Sequence, residues 1–302
     1  MGPSCGYMPT APATLDPEET PAMPCGIRHM PGRLRVIGHV VYVESNPPRL
    51  GAPGAPRRGF SSRGPAVAQR VIVFLDWQNV YMRAREAFHQ PATDPSSKGQ
   101  VDPVDLAHVL TADYALRHPD HTFELTQIRI YRGRPTQQGD PKGYNSFQRQ
   151  DAQWSRNNKV RTHYNDVRYP ADWGTDECQD KPREKGIDVA LAVDLVTMMS
   201  GDGAYEVGIV MSADYDLVPA IDFLVRRRLN RGDAATIEVA AWRGDVGDKP
   251  LRIRLNGHSL YCIWLDRQAY WGVIDETDYT VSKADRPDRR QGPVPGSWLR
   301  RT

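Results

Sequence analysis

The sequence predicts an α/β domain on a mostly parallel sheet of about five strands, with disordered tails, and three observations carry that reading. From Arg70 onward, short apolar runs alternate with amphipathic segments, the pattern of βα units. VIVFL, residues 71–75, is an unbroken β-branched and aromatic run, as a strand buried on both faces requires. Asp102 followed by Pro103 marks a helix start, with a side-chain acceptor at the N-cap and a preset φ at the first helical position.

The elements follow in order. After the first strand, residues 79–90 form a short helix. Residues 102–117 form a second, with Leu106, Val109, Leu110 and Tyr114 on one face. QIRIY (127–131) is the second strand, residues 143–157 a helix, and residues 160–169 the third strand. GIDVALAVDLVTMM is helical and EVGIVMS (206–212) is the fourth strand. DLVPAIDFLVRRR is a helix that tolerates Pro219 in its first turn. TIEVAAW (236–242) is the fifth strand, and LYCIWLD (260–266) has the composition of a sixth.

The composition breaks near residue 70. Twelve of the 25 prolines lie in residues 1–70, with eight Arg against four acidic residues. Such a segment has little with which to build a core, so residues 1–69 are expected to be mostly disordered. Only residues 33–45 read as a strand or hairpin piece, marginal without a partner sheet. The domain is expected over 70–275, with a polar tail at 276–302. The net charge of +2 excludes a polybasic binder acting through bulk charge, so an anionic partner needs a local patch. The four cysteines are scattered, without the spacing of a zinc module or a disulfide scaffold. With no signal-peptide pattern and no long apolar run, a soluble cytoplasmic protein is expected, with no membrane partner.

The carboxylates are the informative feature. Asp76 ends the first apolar strand, and Asp214 and Asp216 directly follow the fourth, placing them at the sheet edge where parallel α/β sheets bind ligands. Asp188 opens a helix beside the same edge. Carboxylates gathered at one point repel one another unless a cation neutralises them, and an all-oxygen set favours Mg²⁺ or Mn²⁺ over zinc. Phosphodiester hydrolysis suits such a site. Asp188 and Asp216 also stand where helix N-caps stand, and spacing alone leaves cap and ligand both open for them. Asp76 and Asp214 are harder to explain without a partner, since each ends a buried run. Ser212 and Asp194 are candidates for supporting the ligands from behind, with solvent exposure the alternative for Asp194.

The blocks VIVFLDWQNVY, RGRPTQQGDPKGY, KPREKGIDVALAVDLV and VGIVMSADYDLVPAI occur in an order that resembles the NYN domains, a branch of the PIN-like metal-dependent ribonucleases. The resemblance spans roughly residues 70–245. It implies a three-layer α/β/α domain whose acidic centre is Asp76, Asn79, Asp188, Asp214 and Asp216, with the four aspartates as metal ligands. Trp77 and Ala213 stand where such domains carry other, often smaller, residues, which bears on substrate fit.

Arg132, Arg134 and Lys142 flank the loop after the second strand, and Arg183 and Lys185 precede Asp188, a cationic set suited to single-stranded RNA. Phe147 and Trp154, seven residues apart, read as core rather than as base platforms. The expected function is a metal-dependent endoribonuclease with Mg²⁺ or Mn²⁺ as cofactor and RNA as partner, self-association being open. The alternatives are a non-catalytic RNA-binding or scaffold module of the same fold, and an aspartate-nucleophile phosphatase using DYDLV. The phosphatase would leave Asp76 and Asp188 without a role.

Overall fold

The computed structural model describes residues 67–95, 97–201, 205–244 and 252–282, together with the backbone of two strands further upstream. The remainder of the proline-rich segment and the chain beyond 282 lie outside the described residues, and with them most of the ground on which disordered tails are expected. The upstream strands are β1 (Gly32–Ile37) and β2 (Val40–Ser45). The domain proper runs β3 (Gln69–Asp76), α1 (Trp77–Phe88), α2 (Pro103–Arg117), β4 (Phe123–Arg134), α3 (Pro141–Trp154), β5 (Val160–Asp166), α4 (Ile187–Met199) and β6 (Val207–Met211). A single 3₁₀ turn (Tyr215–Leu217) leads into α5 (Val218–Arg231), followed by β7 (Thr236–Trp242), β8 (Cys262–Leu265) and α6 (Arg267–Val273).

Six strands pair in parallel in the spatial order β5-β4-β3-β6-β7-β8. The run at 260–266 thus supplies a sixth parallel strand to the expected five. The hairpin of β1 and β2 joins through Val40 and Val41, which pair antiparallel with Glu124 and Phe123 at the start of β4. That pairing gives the segment at 33–45 the partner sheet that its sequence alone lacked.

Period-two alternation in β3 builds both sides of the core. Val71, Val73 and Leu75 pack with α1, α2 and α6, whereas Ile72 and Phe74 pack with α4 and α5. All five are fully buried, each contributing roughly 1.5–3 kcal/mol relative to exposure. The result is the three-layer α/β/α arrangement. Asp102 caps α2 as its sequence predicts, accepting from the N–H groups of Val104 and Asp105 at 2.8 and 3.1 Å.

The topology positions the site. From β3 the chain moves to β4 and β5, then crosses back to β6 on the other side of β3 and continues outward to β7 and β8. Strand order therefore reverses at β3 and β6, and the crevice at their C-terminal ends is the switch point where open α/β sheets bind ligands. No described helix is long and apolar enough to cross a membrane.

Candidate metal centre

Asp76 ends β3 and caps α1, its carboxylate accepting from the Asn79 N–H at 3.2 Å and from the Ser212 hydroxyl at 2.7 Å. Ser212 follows β6, and its oxygen accepts the Asp214 N–H at 3.0 Å. Asn79 closes the link from the other side, its side-chain oxygen accepting the Ala213 N–H at 3.0 Å. A hydrogen-bonded lattice therefore ties the ends of β3 and β6 together and fixes two carboxylates that lie 138 residues apart in the chain. Asp188 approaches from the first turn of α4, whose N-cap is Gly186 at φ +77°, a left-handed position that favours glycine.

Asp76, Asp188 and Asp214 each place a carboxylate oxygen so that all three oxygens lie within 4.8 Å of one another. Asp76 is only 5% exposed; the other two are more open. Burial pushes the Asp76 carboxyl up to about 6, with Asp188 and Asp214 adding to the rise and the Ser212 and Asn79 hydrogen bonds opposing it. Asp188 is also raised, first by burial and then by the charges of Asp214 and Asp216. Among the described residues, none of the three forms a salt bridge with Lys, Arg or His. Three oxygen ligands without a protein cation, one of them nearly dry, fit a hard divalent ion such as Mg²⁺ or Mn²⁺.

The capping alternative resolves in an unexpected way. Neither Asp188 nor Asp216 caps a helix. The caps are Asp76 on α1 and Asp214 on the 3₁₀ turn, where it accepts the Asp216 N–H at 2.9 Å. The Asp216 side chain stands outside the group of three and acts on it through its charge.

Asp194 has other partners. Six residues along α4 from Asp188, its carboxylate pairs with the Arg129 guanidinium, accepts the Tyr131 hydroxyl at 2.7 Å and lies 3.8 Å from His163. These bonds hold it below the usual carboxylate range despite partial burial.

Of the five cations of the RNA reading, Arg132 and Arg134 lie near the C-terminal end of β4, Lys142 opens α3, and Arg183 and Lys185 precede α4. Arg132, at the end of β4, lays its guanidinium over Phe147 and Trp154, with ring centroids 4.5 and 5.2 Å away. Burial pulls it down to about 10, which leaves it a cation at neutral pH. Arg134 pairs with Asp166 at 2.6 Å and stacks on Tyr164. Lys142 is exposed in the first turn of α3, and Arg183 and Lys185 are exposed before α4. Phe147 and Trp154 are each 2% exposed, in the interior as their spacing predicts. Sequence reasoning missed Glu184, which sits between Arg183 and Lys185 and packs against Gly133. A Cβ at Gly133 would fall 2.5 Å from the Glu184 side chain, so the glycine makes room for it.

The family model of the NYN domain matches residues 70–231, the span that carries all of these groups. The chain belongs to the NYN family. Within this NYN domain the match begins at β3 and ends with α5, so both Asp76 and Asp214 fall inside it. A solved structure of a Vibrio parahaemolyticus protein of unknown function is 17% identical, covering 60% of this chain and 84% of that one with a TM-score of 0.34. Likeness at that level carries no argument about function. A comparison with curated proteins finds no match.

Proposed function

We propose that this NYN domain is a metal-dependent endoribonuclease acting on single-stranded RNA. The observation that carries the reading is the convergence of Asp76, Asp188 and Asp214 at the switch point without a protein cation to neutralise them. Membership in a family made up generally of ribonucleases supports it. Asp76, Asp188 and Asp214 would hold Mg²⁺ or Mn²⁺. When bound, such an ion activates water and offsets charge on the phosphoryl oxygens. Ser212 and Asn79 position the ligands: Ser212 donates to Asp76, and Asn79 ties the residue before Asp214 to α1. Asp216 adds negative charge beside Asp188 and strengthens the call for a cation. Arg134, Lys142, Arg183 and Lys185 would meet the phosphates of the strand on either side of the cleaved bond. The phosphatase alternative uses Asp214 and Asp216 and gives no account of why Asp76 and Asp188 converge on the first of them.

The test is cleavage of a single-stranded RNA by the full chain with Mn²⁺ and with EDTA. Wild type is expected to cleave only with metal. Asp214→Asn, which can still cap the 3₁₀ turn, is expected to lose several orders of magnitude in rate while keeping its fold. Equal rates for the two proteins, once contaminating nuclease is removed, contradict the assignment.

A further inference from the structure

Beside the carboxylates lies a cleft of about 300 Å³ that the metal centre does not use, walled by Trp77, Tyr81, Gln100, Arg132, Gln150 and Glu184 among others. Its position is fixed by the same elements as the metal centre. Trp77 directly follows Asp76, Arg132 lies near the C-terminal end of the strand paired with β3, and the charge of Asp188 reaches Glu184. The walls are held in place from behind. Trp77 meets Trp154 edge-on with centroids 4.4 Å apart. Gln150 accepts a hydrogen bond from Arg132 at 2.5 Å.

The loop that carries Gln100 is equally constrained. Arg85, buried in α1, donates to the carbonyls of Pro91, Asp94, Pro95 and Lys98. The Gly99 N–H donates to the Tyr270 hydroxyl at 3.1 Å, and the Asp275 N–H donates to the Gln100 carbonyl at 3.0 Å. Behind this wall, two enclosed polar atoms of the lining side chains have no hydrogen-bond partner among the described residues: Gln100 Oε1 and Arg132 Nε. Buried polar atoms left unmet cost stability, so both side chains gain by turning toward a polar ligand in the cleft.

We infer that this cleft is a base-recognition subsite, taking one unstacked nucleobase of a single-stranded RNA next to the bond cleaved at the carboxylates. The inference rests on the nuclease reading for the strand's path and on the cleft's own chemistry for the base. Tyr81 offers a half-buried aromatic ring, backed by the buried Trp77. Gln100, Arg132 and Glu184 offer an acceptor, a cation and a carboxylate, the mixed edge that a base with adjacent donors and acceptors satisfies. Such a subsite would give the enzyme a preference for one base at a fixed distance from the cut.

The test uses the full chain and the four free nucleosides, whose lack of phosphate keeps the carboxylates out of the measurement. Calorimetric titration in EDTA is expected to show one nucleoside bound about tenfold tighter than the others, the discrimination of a single good polar pairing. Gln100→Leu and Glu184→Gln are each expected to erase that preference while their melting temperatures in EDTA stay near wild type. Absence of binding, equal binding of all four, or an unchanged preference in both variants overturns the inference. Cleavage of a randomised single-stranded RNA with Mn²⁺ separates it from the nuclease reading. Cleavage without base preference at any position beside the cut sinks the subsite alone, whereas selective nucleoside binding without cleavage sinks the reaction alone.

Discussion

Asp188 and Asp194 lie six residues apart on α4, and the protein treats them in opposite ways. Asp194 is met by a guanidinium, a phenol and an imidazole from β4 and β5, and its carboxyl is held low. Asp188 is met by two other aspartates and its carboxyl is pushed up. One helix thus presents a carboxylate whose charge is balanced within the fold and another whose charge is not. Asp194 has its cation built in. The Asp188 group has none among the described residues, which makes it a group that could hold a metal ion.

The sharpest way to break this contrast is pH. In the metal-free protein, Asp76 titrates near 6, above its unfolded value, so the folded state holds its proton more tightly. Stability from this group is therefore full below about pH 4 and lost as pH rises through 6, by up to about 3 kcal/mol. Asp194 has the opposite sign: its lowered pKa stabilises the fold above the unfolded value and is lost as acid protonates it. Melting in EDTA between pH 4 and 8 is expected to show Asp76→Asn gaining on wild type as pH rises. Asp194→Asn is expected to trail wild type by a nearly constant amount over that range and to close the gap only below about pH 4. An Asp76→Asn profile parallel to wild type would erase the distinction.

The second effect is smaller. Arg129→Met removes the cation from Asp194 and is expected to cost about 1–3 kcal/mol, or several degrees of melting temperature, whatever the metal content. Loss of that size only in EDTA would mean that Asp194 belongs to the metal centre after all. Smaller still is the gain from Asp188→Asn, which removes one of three mutually repelling charges without removing a cap. It is expected to raise the stability in EDTA by about 1 kcal/mol or less, read by calorimetry. A decrease would show that Asp188 is held by favourable contacts.

The parts of the fold legible in sequence were those with local signals. VIVFL announced a doubly buried strand, Asp102-Pro103 announced a helix start, and aspartates just past apolar runs announced the edge where the carboxylates gather. The hairpin pairing of Val40 and Val41 with β4 was not legible, because it depends on an edge supplied 80 residues later. Nor was α6, whose seven residues carry too short a pattern. At the site, Asp76 and Asp214 could be named from strand ends, but that Asp188 joins them while Asp216 does not depends on how α4 and the 3₁₀ turn meet the sheet. Asp194 was misleading for the same reason. Its partners Arg129, Tyr131 and His163 are contributed by two strands, and no spacing along α4 reveals them. Asn79 was named by resemblance, and its physical role, tying Ala213 to α1, emerged only from the contact between β3 and β6.

The central claim is that the three carboxylates bind a divalent cation. Thermal melting of the full chain against Mn²⁺ at pH 7.5, for wild type beside Asp188→Asn and Asp194→Asn, tests it most directly. At a hundredfold excess over its dissociation constant, the ion is expected to stabilise wild type and Asp194→Asn by about 2.7 kcal/mol each, with a much smaller shift for Asp188→Asn. A wild-type melting point that does not move with millimolar Mn²⁺ or Mg²⁺, or an equal shift in all three proteins, would contradict the account.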